Sequence, residues 1–314
     1  MNPIQDILDT YPLMILDGGF SSELERRGYD LNDPLWSAKV LIENPKVIGE
    51  VHADYLKAGA DCVITASYQA SYEGFMKRGL NQQQAHDLIQ LSITIATTAR
   101  DAFWANSANH DNRPKPLIAA SVGPYGAYLA DGSEYRGDYN LSESELSAFH
   151  KKRLQTLIDA RPDILACETI PCLMEAKVLV ELLKENPSSY CWLSFSAKDG
   201  LHISNGEKMT DCAKWLNTQE QVAAIGINCT APKHIASLIT EIRKNTDKPI
   251  IIYPNSGECY NPEEKTWDGN VAPLSYGERA HSWYKQGARI IGGCCRTTPE
   301  DIREISAWAR NLQP

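Results

Sequence analysis

The sequence predicts an α/β protein: a (β/α)8 barrel of the TIM type, built as a single domain over residues 1–314, with a short helix ahead of the first strand. Three observations lead there. Eight short runs rich in Ile, Val and Ala recur without polar–apolar alternation, the pattern of strands buried on both faces of a parallel sheet. Segments of helical period lie between them, so each strand–helix–strand unit crosses over right-handed. Polar, ionisable and sulfur-bearing residues gather at the C-terminal ends of the runs, where a barrel carries its chemistry.

In order, the runs are Leu13–Leu16, Cys62–Thr65, Leu117–Ala120, Ile164–Ala166, Cys191–Phe195, Ala223–Ile227, Ile250–Tyr253 and Arg289–Ile291. Between the second and third, Ala85, Leu88, Ile89, Ser92, Ile95 and Ala96 fall on one helical stripe. Leu179, Leu182 and Leu183 mark a shorter helix after the fourth run, and Ile235, Leu238, Ile239 and Ile242 another after the sixth. Thr298-Pro299-Glu300-Asp301 opens the last helix with a cap, a proline at the first helical position and early acid. A doubly wound sheet would place a Gly-rich phosphate turn after its first strand. Here that strand ends in Asp17-Gly18-Gly19-Phe20, with no G-x-G-x-x-G. No linker, repeat or low-complexity stretch divides the chain.

Composition excludes several classes. Hydrophobic residues are 43% and charged residues 23%, enough to build a core and unlike a disordered or fibrous chain. The net charge of −9 and the lack of any basic cluster longer than Lys151-Lys152-Arg153 argue against a nucleic-acid partner. No apolar run reaches the ~18 residues of a membrane span, and the N-terminus lacks a signal-type stretch. A cytoplasmic monomer acting on small molecules is the expectation. Nine cysteines, an odd number, are then free thiols, metal ligands or catalytic groups.

Cys294-Cys295 is the sharpest feature. Neighbouring side chains on a strand point to opposite faces, so two adjacent cysteines reach one metal only where the strand has ended. Gly292-Gly293 permits such a break, because glycine tolerates unusual backbone angles. The sixth strand, two positions around the barrel, ends in Cys229, and three thiolates then converge over the mouth. Three sulfur ligands favour Zn2+, which so ligated is a poor water activator but a good holder of a fourth thiolate. The H-E-x-x-H motif of zinc hydrolases is absent. Of the other cysteines, the loosely spaced Cys167 and Cys172 and the core positions Cys62, Cys191 and Cys212 read as packing. Cys259 falls in a loop without an assignment.

Asp17 and Glu168 end the first and fourth strands and face the same mouth, where two buried acids can hold an ammonium group. Asp17 can equally form a turn with its glycines. Gly18 and Gly19 can offer backbone N–H groups to a carboxylate. Tyr68, Tyr125, Tyr128 and Tyr253 bring aromatic faces that attract cations, sulfonium included.

Taken together, Asp17-Gly18-Gly19, Glu23-Leu24-Glu25-Arg26-Arg27-Gly28, Thr65-Ala66-Ser67-Tyr68-Gln69-Ala70, Glu168-Thr169, Gly226-Ile227-Asn228-Cys229 and Gly292-Gly293-Cys294-Cys295 resemble the homocysteine S-methyltransferases over essentially the whole chain. The resemblance implies a zinc enzyme in which Cys229, Cys294 and Cys295 hold Zn2+. It implies that Asp17 and Glu168 take the amino group of homocysteine and that backbone near Gly18, Gly19 and Thr65 takes its carboxylate. Ser67-Tyr68-Gln69-Ala70 and Tyr253-Pro254-Asn255-Ser256-Gly257-Glu258 look closer to the S-methylmethionine-using branch than to the betaine enzymes. The expected activity is methyl transfer from a sulfonium donor, S-methylmethionine or S-adenosylmethionine, to the homocysteine thiolate, giving methionine. A betaine donor, a selenol acceptor, a zinc barrel hydrolase and a thiol-redox protein are the alternatives.

Overall fold

A computed structural model of the chain describes residues 2–33, 35–257, 259–261, 266–268 and 274–313, the segments 259–261 and 266–268 by their backbone only. Eight parallel strands form one sheet: β1 (Met14–Ile15), β2 (Cys62–Ile64), β3 (Leu117–Val122), β4 (Ile164–Ile170), β5 (Cys191–Phe195), β6 (Val222–Asn228), β7 (Ile250–Tyr253) and β10 (Ala288–Ile291). Their order is β1-β10-β7-β6-β5-β4-β3-β2. A parallel bridge from Leu16 to Cys62, with the Asp17 N–H donating to Cys62 O at 3.1 Å, brings the two edges together. The result is the expected (β/α)8 barrel. Between β7 and β10 lies a short antiparallel pair, β8 (Cys259–Asn261) and β9 (Thr266–Asp268), that the hydrophobic pattern did not announce. Cys259, expected in a loop, therefore falls in a strand, and its side chain lies outside the described residues.

Two apolar layers result from strands buried on both faces. The barrel interior is filled by Met14, Leu16, Ala119, Ala166, Trp192, Ala224, Ile251 and Ile290. Ile4 and Ile7 of the first helix, Pro3–Leu8, belong to the same cluster. The outer layer packs strands against helices. In Gln82–Trp104, Ala85, Ile89, Ser92 and Ala96 of the anticipated stripe are buried. In Ile235–Arg243 all four anticipated apolar residues are buried. The last helix, Pro299–Ala309, starts as its sequence indicated, with a reciprocal cap between Thr298 and Asp301. Among the described residues no helix is long and apolar enough to cross a membrane.

Strand ends depart from the pattern where they matter most. β4 does not stop at Ala166 but runs to Ile170, with a register shift between Cys167 and Ile170. Thr169 there adopts a left-handed conformation, φ +58°. Such a bulge redirects a side chain without ending the strand, and Glu168 sits inside it.

Candidate active site

The C-terminal strand ends ring a cavity of about 670 Å³ lined by Asp17, Glu168, Cys229, Cys294 and Cys295. Gly18, Gly19 and Thr65 line it too.

The three sulfurs converge. Cys229 Sγ lies 3.6 Å from Cys295 Sγ, Cys294 Sγ lies 4.0 Å from Cys295 Sγ, and all three fall within 4.8 Å of one another. Among the described residues this is the group of His, Cys, Asp and Glu atoms close enough to hold a metal ion. The thiols titrate as a unit. Cys294 and then Cys295 stabilise a thiolate at Cys229 and hold it well below the usual thiol range. Cys294 and Cys295, facing that first charge, are held above it. The Tyr135 hydroxyl stands 3.1 Å from Cys229 Sγ.

Long-range backbone contacts set this arrangement. The Cys294 N–H donates to Pro254 O at 2.9 Å, and the Cys295 carbonyl accepts from the Ser256 N–H at 3.0 Å. The Gly19 N–H donates to Thr297 Oγ1 at 2.9 Å, and Thr297 Oγ1 in turn donates to Cys294 O at 2.6 Å. Gly292 and Gly293 act differently from their sequence reading. Neither has a positive φ. A Cβ on Gly292 would stand 2.5 Å from Leu16 Cβ, and one on Gly293 2.2 Å from Thr297 Oγ1. Gly292 admits the end of β1 and Gly293 admits the Thr297 side chain, rather than bending the chain. The left-handed residue is Cys229 itself, φ +47°, a conformation that costs a non-glycine residue roughly 1–3 kcal/mol. Asn228 braces both left-handed turns: it accepts from the Thr169 N–H at 2.7 Å, donates to Thr169 Oγ1 at 2.7 Å and accepts from Ser194 at 2.8 Å.

The carboxylates line the same cavity. Asp17 is 2% exposed and accepts the Ile64 N–H at 2.8 Å. Burial, with Glu168 close by, raises it well above the ordinary aspartate range. Glu168, 7% exposed, accepts from Ser121 and is pushed up to about 8, chiefly by burial. No Lys or Arg among the described residues pairs with either. Asp61, buried at the other end of the barrel, provides the contrast: Arg310 reaches it at 2.5 Å and Arg113 lies at 3.7 Å. The upper acids thus lack an ion pair of the kind the lower one has; Arg153 acts on Glu168 only through its field.

The remaining expectations divide. Thr65 is a brace: its N–H goes to Ala119 O at 2.9 Å, and its hydroxyl meets Ser67 at 2.7 Å while accepting the Ser121 N–H at 3.1 Å. With the Gly19 N–H also committed, Gly18 keeps the one open N–H of the three among the described residues. Tyr68 and Tyr253 line the cavity. Tyr125 and Tyr128 do not; they pack on Phe149, with ring centroids 4.9 and 5.4 Å away. Cys167, Cys172, Cys62, Cys191 and Cys212 are buried outside the thiol cluster. Trp36, Glu134 and Tyr135 also line the cavity and carry no local signal in the sequence. Arg153, the last residue of the short basic cluster, is buried and donates to Gly123 O, Ser67 O and Tyr68 O at 3.0, 2.9 and 2.7 Å. It pins the loops that carry Tyr68.

Comparison with known proteins agrees with this geometry. The family model for homocysteine S-methyltransferase matches residues 14–309. Homocysteine S-methyltransferase YbgG of Bacillus subtilis (strain 168) is 63% identical over 313 residues, covering 100% of this chain and 99% of that protein. Homocysteine S-methyltransferase 3 of Zea mays is 49% identical over 302 residues, 93% of this chain and 88% of that one. The crystal structure of homocysteine methyltransferase MmuM from Escherichia coli in its metallated form has a TM-score of 0.88 at 45% identity, over 98% of this chain and 100% of that chain. The chain therefore belongs to the homocysteine S-methyltransferase family and is a methyltransferase.

Proposed function

We propose that this enzyme transfers a methyl group from a sulfonium donor to the thiol of homocysteine, giving methionine, with Zn2+ held by Cys229, Cys294 and Cys295. The observation that carries the proposal is the spacing of the three sulfurs, 3.6 and 4.0 Å for two of the pairs. Tetrahedral zinc with Zn–S near 2.3 Å requires sulfurs about 3.8 Å apart. The metallated form of the Escherichia coli relative supports a metal in this family. Zinc bound there supplies acidity, holding a substrate thiol as a nucleophilic thiolate at neutral pH.

The protein's own groups do the positioning. Asp17 and Glu168 take the homocysteine ammonium, and the open Gly18 N–H takes its carboxylate. The aromatic face of Tyr68 borders the space for the donor cation. The homocysteine thiol gives up its proton to solvent. Its sulfur lone pair then forms the new S–CH3 bond as the donor S–CH3 bond breaks, and that electron pair stays on the donor sulfur. Positive and negative charge cancel in the methyl-transfer step, so no oxyanion site is needed. Holding the two reactants in line can contribute ~7–11 kcal/mol.

The test is methionine formation by metal-loaded protein with homocysteine and, in parallel, S-methylmethionine, S-adenosylmethionine and betaine. Product with a sulfonium donor, lost on chelation and restored by Zn2+, is expected. Product only from betaine, or undiminished turnover after the metal is removed, contradicts the proposal.

A further inference from the structure

The wall between Tyr68 and Cys229 holds a third acid that neither the homocysteine pair nor the thiol cluster uses. Glu134 sits in the short helical turn Ser133–Tyr135, in the loop that follows β3, and lines the cavity. Its Oε2 is enclosed and has no hydrogen-bond partner. Arg136, two residues on, pairs with Asp131 and Asp138 instead. Gln69 lines the same cavity with the same defect. Its Nε2 donates to Ala127 O at 2.9 Å, while its Oε1 is enclosed without a partner. The loop between Gly123 and Glu134 touches both residues. A Cβ on Gly126 would stand 2.4 Å from Glu134 N, and Ala127, which holds Gln69, is its neighbour. Two residues that line one cavity, one of them a carboxylate, thus each keep an unpaired acceptor, and leaving both dry is costly unless a ligand donates to them.

We propose that Glu134 and Gln69 form a second ammonium subsite, which takes the α-amino group of the methyl donor. This rests on the methyl-transfer reading and narrows it: the donor is a sulfonium amino acid rather than a bare sulfonium or a quaternary ammonium. An ammonium carries three N–H donors, matching a carboxylate plus an amide oxygen. A quaternary ammonium has none to give, and neither does a sulfonium centre. Placing the carboxylate on the ammonium also suits the chemistry. A carboxylate against the reacting sulfonium would favour the charged ground state over a transition state in which that charge is being lost. The enzyme then holds two amino acids at once, each by its own acidic wall: homocysteine on Asp17 and Glu168, the donor on Glu134 and Gln69.

Glu134→Gln keeps the shape and removes the charge; Gln69→Met removes the second acceptor. Half-saturation and kcat are measured for S-methylmethionine and for dimethylsulfoniopropionate, a sulfonium donor without an ammonium group. Glu134→Gln is expected to raise the S-methylmethionine KM at least tenfold. The homocysteine KM, and the KM for the ammonium-free sulfonium, should stay within about twofold. Gln69→Met should show the same pattern in weaker form. Equal losses on both donors, or an unchanged S-methylmethionine KM, overturn the subsite, as does wild-type enzyme that uses the ammonium-free sulfonium as well as S-methylmethionine. Should neither donor support methylation of homocysteine by the wild type, the methyl-transfer reading fails separately. The subsite is then judged by equilibrium binding of S-methylmethionine to the wild type and Glu134→Gln, where equal affinity rejects it and a tenfold loss upholds it.

Discussion

Glu168→Gln should make the enzyme more stable at alkaline pH while weakening its hold on homocysteine. In the unfolded chain Glu168 ionises near 4.5, and in the fold burial lifts it to about 8. Between those values the folded state retains a proton that the unfolded state has released, so stability falls as pH rises through the window. Below the window both states are protonated and the residue costs nothing. Above it the difference reaches ~5 kcal/mol, at 1.36 kcal/mol per pH unit over ~3.5 units. Water drawn in by the ionised group screens it, so this is the upper figure. Glutamine cannot ionise, yet its Oε1 can still accept the Ser121 hydrogen bond. The assay is a set of thermal melts of both proteins at pH 5, 7 and 9 with chelator present, so that metal does not enter the comparison. The two should melt together at pH 5. At pH 9 the variant should melt up to ~10 °C higher, at about 2 °C per kcal/mol for a chain of this size. Because it also loses the charge that faces the substrate ammonium, its homocysteine KM should rise ~10–100-fold. A melting difference that is constant with pH, or a variant less stable at pH 9, would refute the assignment of Glu168 as an acid buried without a cation.

Cys229→Ala and Cys294→Ala should each abolish stoichiometric zinc retention and nearly all methyl transfer while the far-ultraviolet circular dichroism stays native, since both sulfurs lie at strand ends; metal analysis after gel filtration checks this. Asn228→Ala removes the bonds to Thr169 and Ser194 and should cost about 2–4 kcal/mol in denaturant unfolding. It should also lower zinc affinity, because the turns at Thr169 and Cys229 lose their brace. A homocysteine analogue without the thiol, such as 2-aminobutyrate, should inhibit more strongly as pH rises from 6 to 8, by up to tenfold per unit, because its ammonium binds the ionised form of Glu168. Glu168→Gln should flatten that profile in a competitive assay.

Much of the site was legible from residues alone, for identifiable reasons. The barrel came from runs such as Ala223–Ile227 and Ile250–Tyr253, whose lack of alternation requires two buried faces. Adjacent cysteines after a glycine pair, with a third at another strand end, made a shared metal the economical reading. Asp17 and Glu168 were found because an acid that closes an apolar run sits at the mouth of a barrel. The failures are equally instructive. Tyr125 and Tyr128 follow a strand end just as Tyr68 does, but the helix Tyr125–Leu129 turns them onto Phe149. Arg153 stood out only as one of three adjacent cations, and nothing in that run revealed that it points inward to Gly123 O and Ser67 O.

Periodicity, glycine placement and residue chemistry determine the barrel, the three thiols and the two strand-end acids, because each is a local property or follows from a strand's end being at one face. The balance of charge and of hydrogen bonds at the mouth is a different matter. That the Gly19 N–H is committed depends on Thr297, 278 residues away. That Asp17 and Glu168 have no ion-pair partner among the described residues, while Asp61 has Arg310 and Arg113, depends on which distant side chains reach each end of the barrel. Glu134 faces the cavity only because its loop folds back beside Gln69. Burial and pairing are properties of the packed whole, and no window of sequence contains them.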